Sequence, residues 1–240
     1  MLVSTEGIVL KVIKYGESSL IANLYTKEFG RSSYIINAVR GRKSKHRQIL
    51  QPLFLVDVVA YIKDSREVQR VKEIKNHPAY QNIPFDIRKS TQILFLSEVL
   101  NKILREQESS PEMFNFIKNS LLFFDLDVSA PGNFHLFFLL RLTGHLGFLP
   151  DMHFEGSGGW LDLQKGVIVP YEPPHPYYVN QEGTAALQIL SGLKSGELNT
   201  LRISRNLRGY LTAKLIEYYH MHFEHLGEIK SLKILQELFS

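Results

Sequence analysis

The sequence predicts an α+β protein, with a small five-stranded β-barrel first and an α-helical domain with an irregular insert after it. Three observations lead there. Short runs rich in Ile, Val and Leu, separated by turn residues, fill residues 5–75. From residue 93 the apolar residues recur at helical spacing instead. Gly and Pro then crowd one stretch between the later helices, at residues 156–176.

The strands come in order. Residues 5–14 form the first run, broken by Lys11 and Lys14, and residues 20–26 the second. The turn Lys27-Glu28-Phe29-Gly30 leads to the third at residues 31–39. Residues 53–62 are the fourth, and Lys63-Asp64-Ser65-Arg66 turns into the fifth at residues 67–75. A longer connection between the third and fourth is the outline of a small Greek-key barrel, of which the OB-fold is the commonest. The strand pattern alone also fits a five-stranded SH3-like barrel.

His77-Pro78 and Ile83-Pro84 punctuate the end of this region. Residues 1–80 are therefore read as the barrel domain and residues 81–240 as the helical one. Ile93, Leu96, Val99, Leu100, Ile103 and Leu104 share a helical face. Ser110-Pro111-Glu112 is a helix start, with Ser as the cap and Pro in the first turn. Residues 134–146 make a strongly apolar, central helix. An irregular insert is expected at residues 147–180, with one or two short strands and the single Trp, Trp160. Helices resume at residues 182–190, 201–225 and 231–239.

Charge divides the chain as the pattern does. Residues 1–80 carry 14 Lys and Arg against 7 Asp and Glu, whereas the remainder carries 14 against 17, so the overall +4 hides a basic module. The peak is Arg40-Gly41-Arg42-Lys43-Ser44-Lys45-His46-Arg47, five cations in eight residues between two strands. Such a density repels itself and favours a polyanion, which points to nucleic acid. Arg31, Arg40, Arg42, Lys43, Lys45, His46 and Arg47 are the expected DNA-binding residues. Lys11, Lys14 and Lys27 extend the patch. Tyr15, Tyr25, Tyr34 and Phe29 are the aromatics available for base stacking or for filling the barrel.

Other chemistries lack a motif. Gly41-Arg42-Lys43-Ser44 is not a phosphate-binding loop, because Arg stands at 42 and Asn at 37 where glycines are needed. No Gly-x-Ser-x-Gly elbow or acidic cluster suggests hydrolysis, so no catalytic residue is assigned and the protein is read as a non-enzyme. With no cysteine, disulfides and thiolate metal sites are excluded. His153 and His175 lie near Asp151 and Asp162, and His222 and His225 are three apart, but no carboxylate completes a compact site and no metal or other cofactor is expected. No apolar run exceeds five residues, whereas a membrane span needs about 20. The N-terminus lacks the basic start and apolar stretch of a secretory signal, so a cytoplasmic protein with no membrane contact is expected.

A second basic stretch, residues 202–214, lies in the acidic half. Arg202, Arg205, Arg208 and Lys214 accompany Leu207, Leu211 and Leu215 at spacing four. A cationic rim beside an apolar groove suits an acidic tail with a hydrophobic end; a solvated helix face over core leucines accounts for the same pattern.

Several ordered pieces resemble the bacterial recombination mediator family RecO. They are Thr5-Glu6-Gly7-Ile8-Val9-Leu10, Tyr15-Gly16-Glu17-Ser18-Ser19-Leu20-Ile21, Leu24-Tyr25-Thr26-Lys27-Glu28-Phe29-Gly30 and the basic cluster followed by Leu50-Gln51-Pro52-Leu53. Leu207, Tyr210 and Leu211 with Ile229-Lys230-Ser231-Leu232 are similar to the family's last helices. The resemblance implies an OB-fold on a helical domain and binding of single- and double-stranded DNA. It implies annealing of complementary strands and help in loading recombinase onto DNA coated by single-strand-binding protein. The implied partners are RecR and the acidic tail of that coating protein. Many members carry a four-cysteine zinc module where this chain has residues 149–174 without a cysteine; packing, around Trp160, is expected to replace it. The competing reading is an RNA-binding OB-fold protein acting in translation or RNA processing.

Overall fold

The first strand, β1 (Leu2–Tyr15), is long enough to serve two neighbours. Its first half pairs with β4 (Leu55–Tyr61) and its second with β2 (Ser19–Thr26), both antiparallel. A register shift between Val9 and Lys11 lets it bend from one neighbour to the other. β3 (Gly30–Ile36) continues from β2, and β5 (Val68–Asn76) pairs antiparallel with β4 and parallel with β3. The sheet thus closes in the order β1-β2-β3-β5-β4, the OB-fold order, which settles the choice left open against an SH3-like barrel. The structure, a computed structural model, describes residues 1–37, 48–63, 65–105, 108–127, 132–156 and 158–238.

Alternation fixes which side of each strand is core. Leu20, Ala22 and Leu24 of β2 point inward with Tyr34 and Ile36 of β3, all buried. The turns use glycine where the backbone needs a positive φ: Gly16 (60°) between β1 and β2, and Gly30 (57°) at the start of β3.

Two contact-dense units make up the chain, Met1–Leu126 and Asp127–Ser240. The first holds the barrel with α1 (Ile87–Ile103) and α2 (Pro111–Leu126). Asp86 caps α1 by accepting from the N–H groups of Arg88 and Lys89, so the helix begins six residues before the apolar pattern at Ile93. Its first turns bury polar side chains, Lys89, Thr91 and Gln92. Lys89, 2% exposed, donates to the carbonyls of Phe124 (2.8 Å) and Asp125 (2.9 Å) at the end of α2. The Asp125 carboxylate in turn accepts from the N–H groups of Gln81, Asn82 and Ile83, pinning the segment that leaves the barrel. Ser110 caps α2 as expected, accepting from Met113 N–H at 3.3 Å.

The second unit holds α3 (Phe134–His145), α4 (Gln181–Gly192), α5 (Arg205–His222) and α6 (Ser231–Leu238). α3 is buried on nearly every side, and the Tyr219 hydroxyl of α5 donates to its Leu139 carbonyl at 2.8 Å. α5 is shorter than the expected 201–225 because Ser204 caps it, accepting from Leu207 N–H. The insert forms three short strands rather than one or two, β6 (Trp160–Asp162), β7 (Val167–Val169) and β8 (Tyr178–Val179), in the order β7-β6-β8. Leu161, Leu163, Ile168 and Val179 are its buried apolar residues; Trp160 is only half-buried, edge-on to Tyr178, so it is not the packing centre.

Candidate nucleic-acid interface

Register places side chains on the outer barrel surface in rows. Ile13 of β1 lies opposite Ile21 of β2, Ile21 opposite Ile35 of β3, Ile35 opposite Arg70 of β5, and Arg70 opposite Tyr61 of β4. One pair toward the β1–β2 turn lies Tyr15 opposite Ser19. On the other side of the isoleucines runs a polar row, Lys11 opposite Asn23 and Asn23 opposite Ser33, where Ser33 Oγ donates to Asn23 Oδ1 at 2.9 Å. Lys11, Arg70, and Lys63 and Arg66 of the β4–β5 turn are exposed. This face and the β1–β2 and β4–β5 turns beside it are where OB-folds take oligonucleotides.

The expected DNA-binding residues fall differently with respect to that face. Arg40, Arg42, Lys43, Lys45, His46 and Arg47 lie outside the described residues. Asn37, three positions before the cluster, shares a hydrogen bond with Ser19 (3.2 Å) beside the β1–β2 turn, so the chain reaches the cluster from that rim. Arg31 is a structural residue instead. Its Nη1 donates to the carbonyls of Asn101 (2.5 Å) and Leu104 (2.7 Å), and Nη2 to Asn101 Oδ1 (3.2 Å). It closes the C-terminal end of α1, and burial, with Arg105 nearby, lowers its pKa.

The expected extensions of the patch also separate. Lys11 belongs to the outer face. Lys14 pairs with the inward-facing Leu20 and so lies in the opposite phase. Lys27 is held by Glu6, 3.6 Å away, whose carboxyl is kept below the usual range chiefly by a Lys118 hydrogen bond. Of the aromatics, Tyr34 is in the core and Tyr25 lies against Phe114 of α2 (6.3 Å between rings), whereas Tyr15 is 56% exposed.

In the second unit, the first turns of α5 border a cavity of about 320 Å³ lined by His135, Arg205, Asn206, Arg208, Tyr210, Leu235 and others. Arg205, one of the lining residues, and Arg202, three positions before it, are exposed. Arg208 is a clasp: Nε donates to Asn133 Oδ1 and Nη2 to the Ile203 carbonyl, each at 3.0 Å, and burial lowers its pKa. Lys214 donates to the Pro176 carbonyl (3.0 Å) and Glu217 (2.8 Å). Leu211 and Leu215 are buried in the core, so they do not line an open groove.

Comparison with known proteins identifies the family. Residues 1–78 match the family model described as recombination protein O N terminal, and residues 84–233 match recombination protein O C terminal. The chain belongs to the RecO family. DNA repair protein RecO of Bacteroides fragilis is 32% identical over 241 residues, covering 100% of both chains. Those of Phocaeicola vulgatus and Flavobacterium psychrophilum are 31% identical over 241 and 242 residues, again over 100% of both. This is therefore a RecO-family DNA repair protein with an OB-fold barrel.

Among the described residues of this RecO chain, no helix is long and apolar enough to cross a membrane. Nor do three metal-ligating side chains converge among them. The isoleucine row, Tyr61, Arg70, Lys63 and Arg66 do not stand out in the sequence. Strand alternation puts the isoleucines, Tyr61 and Arg70 on an outer face, but only the register joins them, and Lys63 and Arg66 follow in the β4–β5 turn.

Proposed function

We propose that this chain is a non-enzymatic recombination mediator. It binds single- and double-stranded DNA through residues 1–80, anneals complementary strands, and helps load recombinase onto strands coated by single-strand-binding protein. The helical domain, residues 81–240, receives the acidic tail of the coating protein near Arg202 and Arg205, and RecR is a second partner, all in the cytoplasm. The observation that carries this reading is the coincidence of exposed cations with the oligonucleotide face of the barrel, next to the rim from which a segment with five cations in eight residues departs.

The mechanism needs no nucleotide hydrolysis. Two complementary strands repel through their phosphates; Lys and Arg that replace condensed counterions lower that barrier and gain the entropy of the released ions. Annealing of labelled complementary strands, bare and coated with single-strand-binding protein, tests it. Acceleration in both conditions without ATP is the expected result. No acceleration, or a clear preference for matched RNA strands in competition, overturns it in favour of an RNA-binding role.

A further inference from the structure

The outer barrel face carries more than charge. Ile13, Ile21 and Ile35 form an unbroken apolar row across β1, β2 and β3, ended by Arg70 on β5. Ile13 is 45% exposed and Tyr15, one pair further along, 56%. Ile21 and Ile35 are half-buried. Solvent-facing sheet positions are ordinarily polar, as Asn23 and Ser33 are in the adjacent row. A contiguous apolar stripe on such a surface marks contact with something apolar.

We propose that this stripe is the base-contacting surface of the barrel and the source of a preference for single-stranded over duplex DNA. The proposal rests on the DNA-binding reading above and names which groups touch bases rather than phosphates. Charge complementarity selects the occupant: Lys11 on one flank and Arg70 at the end attract a polyanion, and the exposed Lys63 and Arg66 lie in the turn leading into β5. Two strand steps of about 4.8 Å separate Ile13 from Ile35 by about 10 Å, room for a few bases. A duplex offers its phosphates to the same cations but keeps its base faces inside the stack. A single strand can lay its bases on the isoleucines while its backbone follows the flanking cations.

Isoleucine also suits annealing. It covers a base with apolar surface but lacks the aromatic face that makes stacking platforms grip tightly. Bases held this way are kept from folding on themselves and are released readily to a complementary strand. Tyr15 at the margin supplies the one exposed ring among the four aromatics considered for stacking.

Two variants decide it. Ile13→Trp places a reporter on the stripe, against a background of the single native Trp160 in the other unit. Its fluorescence should be quenched by oligothymidylate and unchanged by a duplex. The triple variant Ile13→Thr, Ile21→Thr, Ile35→Thr keeps β-branched residues and removes the apolar surface. It should bind oligothymidylate about tenfold more weakly at every salt concentration, with an unaltered salt slope and unaltered duplex affinity. Equal quenching by both DNAs, or unchanged single-strand affinity in a folded triple variant, overturns the stripe while leaving the phosphate contacts standing. If the triple variant does not fold, the Ile13→Trp result decides alone. A wild-type protein that binds neither DNA sinks the DNA-binding reading, and the stripe with it.

Discussion

Arg31 of β3 donates to the Leu104 carbonyl, 2.7 Å away and 73 residues later in the chain. With its bonds to Asn101, it satisfies carbonyls that the end of α1 would otherwise leave bare. The barrel and α1 are therefore joined at one end by a guanidinium and at the middle by Ser97, whose hydroxyl donates to the Leu10 carbonyl at 2.9 Å.

Replacing Arg31 should accordingly be a stability lesion before it is a binding lesion. Arg31→Ala is expected to cost about 2 to 3 kcal/mol in urea unfolding, the scale of charge-assisted bonds lost from part-buried partners. Arg31→Lys should restore only part of it, since one ammonium cannot span two carbonyls and an amide. The salt slope of DNA binding should stay within about one phosphate contact of the wild type.

The basic cluster should behave in the opposite way. Changing Arg40, Arg42, Lys43, Lys45 and Arg47 to Ala is expected to leave unfolding unaltered and to flatten the salt dependence of single-strand binding. At about 0.7 per phosphate contact, five contacts predict a log–log slope reduced by about 3 to 4. Titrations between low and moderate salt measure it, and an unchanged slope would assign the electrostatic contact to other residues.

These two outcomes bear on what a sequence can reveal. The barrel is legible because its signal is local: alternation, turn residues and a change of period are all read within ten residues or so. The fate of a cation is not local. Arg31, Arg208 and Lys214 look like solvated charges until their partners are found 70, 75 and 38 residues away. The beginning of α1 is hidden for the same reason, since Lys89 reads as surface but caps a helix 35 residues on. The isoleucine row requires register across three strands, which no single stretch contains.

For the acidic tail, the clasp formed by Arg208 changes which residues are informative. Arg208→Glu would break the bonds to Asn133 and Ile203 and confound binding with unfolding. Arg202→Glu with Arg205→Glu alters two exposed cations instead, of which Arg205 lines the cavity. A labelled tail peptide should bind this pair at least tenfold more weakly, about 1.4 kcal/mol, with circular dichroism unchanged. Equal affinity would place the tail on another surface.

The cysteine-free insert should not need a metal. The Asp162 carboxylate, 2% exposed, accepts from Gln164 N–H (3.0 Å) and Lys165 N–H (3.2 Å) and lies 3.4 Å from His175 Nε2. Leu161 N–H donates to Thr184 Oγ1 at 3.0 Å, tying the insert to α4. Thermal unfolding should therefore be insensitive to a strong chelator. Asp162→Ala should lower stability by about 1 to 2 kcal/mol, because it removes the shared acceptor of two part-buried N–H groups. A fall in melting temperature on chelation would show that a bound metal supports the fold.

His135 gives the second unit a defined response to acid. The imidazole is fully buried, and burial, with Arg208 adding repulsion, drops its pKa from 6.5 to about 3. Thr212 donates its hydroxyl to the Arg208 carbonyl, so His135 Nε2–H donates to Thr212 Oγ1, 2.9 Å away, as a neutral ring. The unfolded chain binds a proton at this position below about pH 6.5 and the folded chain does not until about pH 3, so stability falls as pH is lowered through that window. Between pH 7 and pH 5 the loss from this group is about 2 kcal/mol, at about 1.4 kcal/mol per pH unit below 6.5. His135→Gln, whose amide can donate to the same Thr212 hydroxyl without titrating, should remove most of this slope while costing some stability at pH 7. Urea unfolding of both proteins at pH 5, 6 and 7 measures the difference. Parallel pH profiles would mean that the ring is protonated in the folded protein and that its partners differ from those described.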